Sequence, residues 1–225
     1  MKKVLVIGGS GFVGTHLMGR PETTGEAWSS IDMKTGTDLF EWEGEKFDTV
    51  VFLAASLEQS LEGYLYNIKL YVRFIQLFYE QQPHVIFTSS AAVLGNTLYG
   101  SSKKIGEHML GQTFKKLTVL RLSNVFGGGD GHGVIDSFIN GNRIIYGDGK
   151  QIRDYIDVDD VCSAIDKAVH KEKLGQFNIS TGIGSSVEQM FKKYGKGDPD
   201  YQPARDFDVP FSVLNPRGAK EAGLL

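Results

Sequence analysis

A single cysteine, six prolines, a formal net charge of only −3 and the lack of any apolar run of membrane-spanning length bound what this 225-residue chain can be. Cys162 has no partner for an internal disulfide, and no Cys/His grouping carries the spacing of a zinc site. No metal is expected, and a reducing cytoplasm is the simplest home. Met1-Lys2-Lys3 is followed by only four apolar residues before Gly8. That is too short for a signal-peptide core, and the segment reads as a first strand. Without a basic excess there is no global field for nucleic acid or a membrane surface, so a bound anion must be held by a few placed cations. No internal repeat or low-complexity tract interrupts the chain. The length suffices to bury a full core, as one domain with a small appended lobe.

Short apolar runs alternate with longer segments of helical period, the pattern of an α/β fold built on a doubly wound parallel sheet. Strands are expected at Lys3 to Ile7, Ala27 to Ile31, Thr49 to Leu53, His84 to Thr88 and Leu117 to Leu122, with a short one around Phe177 to Ile179. The longest helical segment is Ser56 to Gln82. Its residues Leu57, Leu61, Tyr64, Ile68, Tyr71, Ile75 and Phe78 form a stripe expected to face the sheet. A second apolar line, Tyr66, Leu70, Phe74 and Leu77, would lie on another face, and helix-to-helix dimerisation would cover it. Further on, Gly127-Gly128-Gly129-Asp130-Gly131 and Gly147-Asp148-Gly149 bracket a short helix near Val134 to Asn140, which reads as an inserted lobe. Ser185 with Glu188 suggests a capping box that starts a helix through Lys193, and Gly195 to Pro203 looks like loop.

Gly8-Gly9-Ser10-Gly11-Phe12-Val13-Gly14 follows the first apolar run and opens a helix that ends before Pro21. Glycines at such a turn let backbone N–H groups and a helix N-terminus meet a pyrophosphate, so Gly8, Gly11, Phe12, Val13 and Gly14 are candidate dinucleotide contacts. A lone glycine motif is weak, and its context decides. Asp32 closes the second strand 18 residues beyond Gly14, near the offset of about 20 at which an acid receives the adenine-ribose hydroxyls. Its charge would repel a 2′-phosphate, which favours NAD over NADP despite Lys34 nearby.

Two Tyr-x-x-x-Lys spacings occur. Tyr146 to Lys150 encloses turn residues, whereas Tyr99 to Lys103 leads into Ile105, Met109 and Leu110 on an expected helix, where positions four apart are neighbours. A phenol of pKa about 10 is a poor base at neutral pH, and an adjacent ammonium favours its phenolate. Ser90, Tyr99 and Lys103 are therefore the candidate proton-transfer group. The five histidines fit no triad or ligand spacing.

Taken together, the glycine turn and Ser90, Tyr99 and Lys103 resemble the extended short-chain dehydrogenase/reductase family, its NAD-dependent epimerase/dehydratase group, which acts on sugars carried by nucleotides. The resemblance implies a Rossmann-type sheet with a small C-terminal substrate-binding lobe, the former from residues 1–127 and 154–181, the latter from 128–153 and 182–225. It implies that Asp38 and Leu39 hold adenine, that Leu53, Ala54 and Ala55 line the cofactor, and that Asn67 lies near it. It makes Lys103 a holder of the nicotinamide ribose beside Tyr99, and Ser90 a partner of the reacting sugar oxygen. Asn124, in Leu120-Arg121-Leu122-Ser123-Asn124-Val125-Phe126-Gly127, matches a nucleotide-sugar contact, while Arg153 and Arg205 match two arginines on the substrate diphosphate, whose planar forks suit phosphate. It also implies a homodimer through helix 56–82 and the Tyr99/Lys103 helix.

The chain departs from that pattern in three places. Ala91-Ala92 replace the Asp-Glu of family dehydratases, which disfavours a dehydratase and leaves an epimerase or a ketoreductase. Only five residues separate Asp32 from Asp38, and only eight separate Ser90 from Tyr99, so a pared sheet and a more open pocket are expected, with readier cofactor exchange. Rival readings are a non-catalytic NAD-binding regulator and an oxidoreductase of a non-nucleotide alcohol or ketone.

Overall fold

Alternation of apolar side chains along each strand separates the molecule into layers. The computed structural model describes residues 2–20, 27–128 and 133–225. β1 (Lys3–Ile7), β2 (Ala27–Ile31), β3 (Thr49–Phe52), β4 (His84–Ser90), β5 (Leu117–Leu122) and, later in the chain, β9 (Gly175–Ile179) form a six-stranded sheet in the order β2-β1-β3-β4-β5-β9. Every neighbouring pair is parallel. Val4, Val6, Val51, Ile86 and Leu120 pack with Leu17 of α1 (Phe12–Met18), with Val161, Ile165 and Val169 of α5 (Val158–Lys171), and with Ala219 of α7 (Arg217–Glu221). Leu5, Ile7, Val50, Phe52, Val85 and Phe87 point the other way. They meet Leu70, Tyr71, Phe74 and Phe78 of α2 (Leu61–Phe78) and Leu110 of α3 (Leu98–Thr113). Phe52 stacks on Phe74 with centroids 4.6 Å apart. Truncating a fully buried phenylalanine of this kind costs about 3–5 kcal/mol.

The satellite elements hang on β8 (Ile152–Asp157). It pairs in parallel with β6 (Asn124–Phe126) and β12 (Phe211–Ser212), and antiparallel with β10 (Gly184–Ser186). β7 (Ile144–Tyr146) pairs with β11 (Asp200–Gln202). Phe138 of α4 (Gly133–Ile139) packs on Ile145 and on Phe191 of α6 (Val187–Tyr194) in a separate small core. The last residues return to the main layer, where Ala219 and Leu224 are fully buried.

Several boundaries differ from the sequence expectation. The α2 helix is shorter than Ser56 to Gln82 because the Ser60 hydroxyl accepts from the Gly63 amide at 3.0 Å and starts it there. Its sheet-facing stripe is also different. Leu70 and Phe74, placed on an outer face by periodicity, are in the core, while Leu57 (69% exposed) and Leu61 (58%) point away from it. The capping box of α6 is Ser186 with Gln189, one residue on from Ser185 and Glu188. Gly195 to Pro203 is not wholly loop, since β11 lies within it. Gly147 and Gly149 do form a turn of positive φ, as do Gly127 and Gly128. Pro21 and Gly129 to Gly131 lie outside the described residues.

Candidate active site

Because all six strands are parallel, the loops that follow β1, β3, β4 and β5 gather at one edge of the sheet, where open α/β sheets take their ligands. At β1 the Gly8 backbone has φ +93°, and a Cβ there would lie 2.7 Å from the Ala54 amide. A Cβ on Gly14 would lie 2.7 Å from the Gly9 Cα and press on the Gly8 carbonyl. Glycine at both positions is thus a packing requirement of the turn. Gly11 caps α1 with no side-chain hydrogen bond. Phe12 and Val13 stand in the first turn of α1 and pack partly on the core. The Leu53 and Ala54 amides both donate to the Ile7 carbonyl, at 2.9 and 3.0 Å. This draws the small residues after β3 against the glycine turn, with Ala55 half-buried beside them.

A cavity of about 60 Å³ opens beside this turn, lined by Gly8, Asp32, Asp38, Leu39, Ala54 and Tyr66, among others. Asp32 Oδ1 accepts from the Lys34 amide at 2.9 Å and Oδ2 from the Ser10 amide at 3.3 Å. Burial alone would raise its pKa, but those bonds, with the Ser10 side chain and the Lys34 charge, hold the carboxyl below its ordinary value. It is therefore a fixed negative charge on the cavity wall. Asp38 turns the chain by accepting from the Phe40 amide at 3.0 Å, and Leu39 is buried. Arg73 of α2 bolts this wall in place by donating to the Leu39 carbonyl at 3.1 Å and the Trp42 carbonyl at 2.6 Å. The short link between Asp32 and Asp38 is one 3₁₀ turn, Met33–Thr35. A larger open cleft of about 680 Å³ between α1 and α5, lined by His16, Arg20, Asp159 and Asp160 among others, contains none of the expected residues.

At the end of β4 the Ser90 hydroxyl accepts from the Ala92 amide at 3.1 Å and starts a 3₁₀ turn. Thr97 caps α3, accepting from the Gly100 amide at 2.9 Å, and this places Tyr99 in the first turn, hydrogen-bonded through its side chain to Ser90. Lys103, one turn on, is 2% exposed. Its Nζ donates to the Thr88 carbonyl at 2.8 Å and lies 5.9 Å from the centre of the Tyr99 ring. Ser90, Tyr99 and Lys103 are thus brought together. The expected depression of the phenol is not realised. Burial pushes Tyr99 up to about 12, against a lowering by Ser90. Burial also draws Lys103 down to about 7, so little ammonium charge remains at the pH where the phenol ionises.

Asn67 does not face the cavity. Fully buried, it donates to the Ser56 carbonyl at 2.9 Å and to the Ser102 hydroxyl at 3.0 Å, and accepts from the Ser56 amide at 2.7 Å. It clasps the loop after β3 to α3. Asn124 is exposed at the start of β6, its side chain donating to the Asp154 carbonyl at 2.9 Å. Arg153 and Arg205 converge on Asp208, at 3.5 and 3.2 Å, and the Arg205 guanidinium lies 4.5 Å from the centre of the Tyr146 ring. Sequence reasoning did not place Tyr66 or Arg73 at the site, whereas the Arg205–Asp208 contact was legible from their spacing of three residues.

The fold and this edge define a Rossmann-type protein with a glycine turn after β1 and a serine, a tyrosine and a lysine grouped after β4. The sequence profile of the NAD dependent epimerase/dehydratase family matches residues 4–180, and the chain belongs to that family. NAD is the cofactor of the family. A GDP-6-deoxy-D-talose 4-dehydrogenase of Aggregatibacter actinomycetemcomitans is 27% identical over 84% of this chain and 78% of its own. The crystal structure of a UDP-glucose 4-epimerase from Thermotoga maritima with UDP-glucose superposes with a TM-score of 0.81 at 26% identity, covering 98% of this chain and 92% of that one. MoeE5 in complex with UDP-glucuronic acid and NAD superposes with a TM-score of 0.86 at 25% identity, covering 98% and 92%. No helix among the described residues is long and apolar enough to cross a membrane.

Proposed function

We propose that the chain is an NAD-dependent epimerase or ketoreductase of a nucleotide-activated sugar, with Tyr99 as the acid/base. The observation that carries this reading is the meeting of Tyr99 with Ser90 at the C-terminal end of β4, one helical turn from a buried Lys103. NAD, when bound, supplies the hydride acceptor and donor. The chain's own residues do the rest. Gly8 and Gly14 let the turn close on its own backbone and on Ala54, so that its amides and the start of α1 can face a pyrophosphate, and Asp32 presents a carboxylate suited to ribose hydroxyls and unsuited to a 2′-phosphate. Ser90 orients the reacting oxygen and Tyr99 moves its proton. Arg153 and Arg205 are the diphosphate clamp. The relatives act at, or carry, UDP- and GDP-sugars, which supports the nucleotide-sugar class. The proposed cofactor-binding part is residues 1–127 with 154–181, joined by α7, whose Ala219 packs in the main core, and the proposed lobe is 128–153 with the preceding part of 182–225.

The short walls over the adenosine cavity favour a cofactor that exchanges, as a ketoreductase requires. Stoichiometric NAD that survives dialysis would argue for an epimerase instead. The exposed Leu61, Leu65 and Val72 of α2, with Leu57 ahead of that helix, Leu94 ahead of α3 and Leu98 at its start, are the proposed homodimer face.

The deciding experiment pairs Tyr99→Phe with a panel of UDP-, GDP-, dTDP- and CDP-sugars in the presence of NAD or NADH. The expected result is turnover of one of them by the wild type and a loss of 10²-fold or more, about 10²–10⁴, in the variant, with the thermal midpoint retained. Near-full turnover by Tyr99→Phe overturns the assignment.

A further inference from the structure

Three successive residues of β4 are each met by one residue of a single stripe on α3. Ser90 meets Tyr99, Thr88 accepts from Lys103, and the Ser89 hydroxyl donates to Glu107 Oε1 at 2.5 Å. Tyr99, Lys103 and Glu107 are four residues apart in turn, so they share one helix face. Behind Glu107 stands Arg121 of β5, the register partner of Ser89. Its Nε donates to Oε1 at 2.8 Å and its Nη2 to Oε2 at 2.6 Å, a two-point fork. Both side chains are largely buried, 11% and 19% exposed. A charged pair set into the middle of a sheet–helix interface is costly to desolvate and is weak evidence for stability. Its position behind Lys103 gives it another use.

We propose that Glu107, gripped by Arg121 and Ser89, is a positioning residue that supplies the counter-charge for Lys103 and fixes the depth at which Lys103 and Tyr99 meet β4. This rests on the acid/base reading of Tyr99 and adds to it a device that opposes the loss of charge on its lysine neighbour. The groups packed around Lys103 are few. On α3 they are Tyr99 and Glu107. Tyr71 on α2 is held neutral by burial. β4 offers the Thr88 carbonyl, the Ser89 and Ser90 hydroxyls and the Phe87 ring, 4.9 Å from Nζ. On β5 Arg121 is committed to Glu107. Of these, Glu107 is the group that raises the lysine's proton affinity against the effect of burial. The two-point fork matters because a freely rotating carboxylate could turn toward solvent, whereas one held on three hydrogen bonds keeps its charge over the sheet.

The test follows the Lys103 ionisation directly, on the full chain with ¹³C-labelled lysine and no ligand, the resonance being assigned by its absence in Lys103→Met. The wild-type midpoint is expected near 7. In Glu107→Gln it falls by about 1 unit or more, while the other lysines keep theirs, and the midpoint for NADH binding, read by its fluorescence, moves to lower pH in parallel. An unmoved Lys103 midpoint overturns the proposal. Should Glu107→Gln fail to fold, Glu107→Asp, which draws the carboxylate back by one methylene from Ser89 and Arg121, is expected to lower the midpoint in the same direction. The titration needs no substrate, so it is separable from turnover. Full activity of Tyr99→Phe with a shifted Lys103 sinks the acid/base reading alone. An inactive Tyr99→Phe with an unmoved Lys103 sinks this inference alone.

Discussion

Arg153 and Arg205, distant in the chain, meet on a single carboxylate: Asp208 lies 3.5 Å from Nη2 of one and 3.2 Å from Nε of the other. In the proposed function these two planar cations, held together by one carboxylate, would take the oxygens of the diphosphate. Arg153→Ala is expected to weaken binding of UDP-glucose, used as the probe, by tenfold or more, about 1.4 kcal/mol. Uridine, which lacks the diphosphate, should bind the variant and the wild type alike. Calorimetric titration of both ligands checks this, and equal losses for the two would remove the arginine from the diphosphate.

Asp32 is held as a carboxylate by two amides on the wall of the proposed adenosine cavity. Replacing it by Asp32→Ser should lower NAD affinity by about tenfold, as expected for lost charge-assisted hydrogen bonds of about 1.5 kcal/mol. Affinity for NADP should rise at the same time, because the repulsion is gone and Lys34 stays. Competition of the two nucleotides for the variant is the measurement.

Lys103 carries a pH-dependent stability. Its folded-state pKa near 7 lies below the ordinary 10.5, so between these values the unfolded chain binds the additional proton and stability rises with pH. Below 7 the folded protein bears the constant cost of a buried ammonium. Lys103→Met should therefore be more stable than the wild type at pH 6–7, by about 1–3 kcal/mol after allowance for relaxation around the charge. The gap should narrow steadily toward pH 9. Urea unfolding at several pH values would show it, and a gap independent of pH would contradict the burial.

The outer face of α2 presents Leu65 at 47% exposure and Val72 at 41%. In the proposed homodimer these are covered, so Leu65→Glu should convert a particle of twice 24.8 kDa into a monomer while far-UV circular dichroism stays unchanged. Light scattering during gel filtration reads the mass directly. A monomeric wild type would dismiss the dimer.

The strands were legible because each is a short apolar run closed by a polar or glycine loop. β1, β2 and β5 have the expected ends, and β3, β4 and β9 differ by one or two residues. The lobe's helices α4 and α6 were legible to within a few residues, but its strands were not, since β7, β10 and β11 have three residues each, too few to show a period. The face of α2 was judged only in part: Tyr71 and Phe78 of the expected stripe do meet the sheet, but Leu70 and Phe74 join them. The helix bears two apolar lines, and periodicity could not say that both would pack on Phe52 and Phe87.

At the site, the glycine turn, Asp32 and the Tyr99/Lys103 pair could be read because their chemistry depends on local spacing. Asn67 could not be, because its partners Ser56 and Ser102 come from separate elements. Glu107 carried a faint signal, four residues beyond Lys103, and Arg121 another as a charge inside an apolar strand. Neither acquires a meaning until β4, β5 and α3 are stacked.

Local order of residues by itself determined the α/β alternation, the tight turn after β1 and the helix face shared by Tyr99 and Lys103, since each depends on atoms only a few bonds apart. Tertiary structure alone decided that Leu70 and Phe74 are core, that Arg153 and Arg205 share Asp208, and that burial moves Tyr99 and Lys103 in opposite directions. Those outcomes are set by which surfaces exclude water from one another, and desolvation depends on neighbours that the chain brings in from afar.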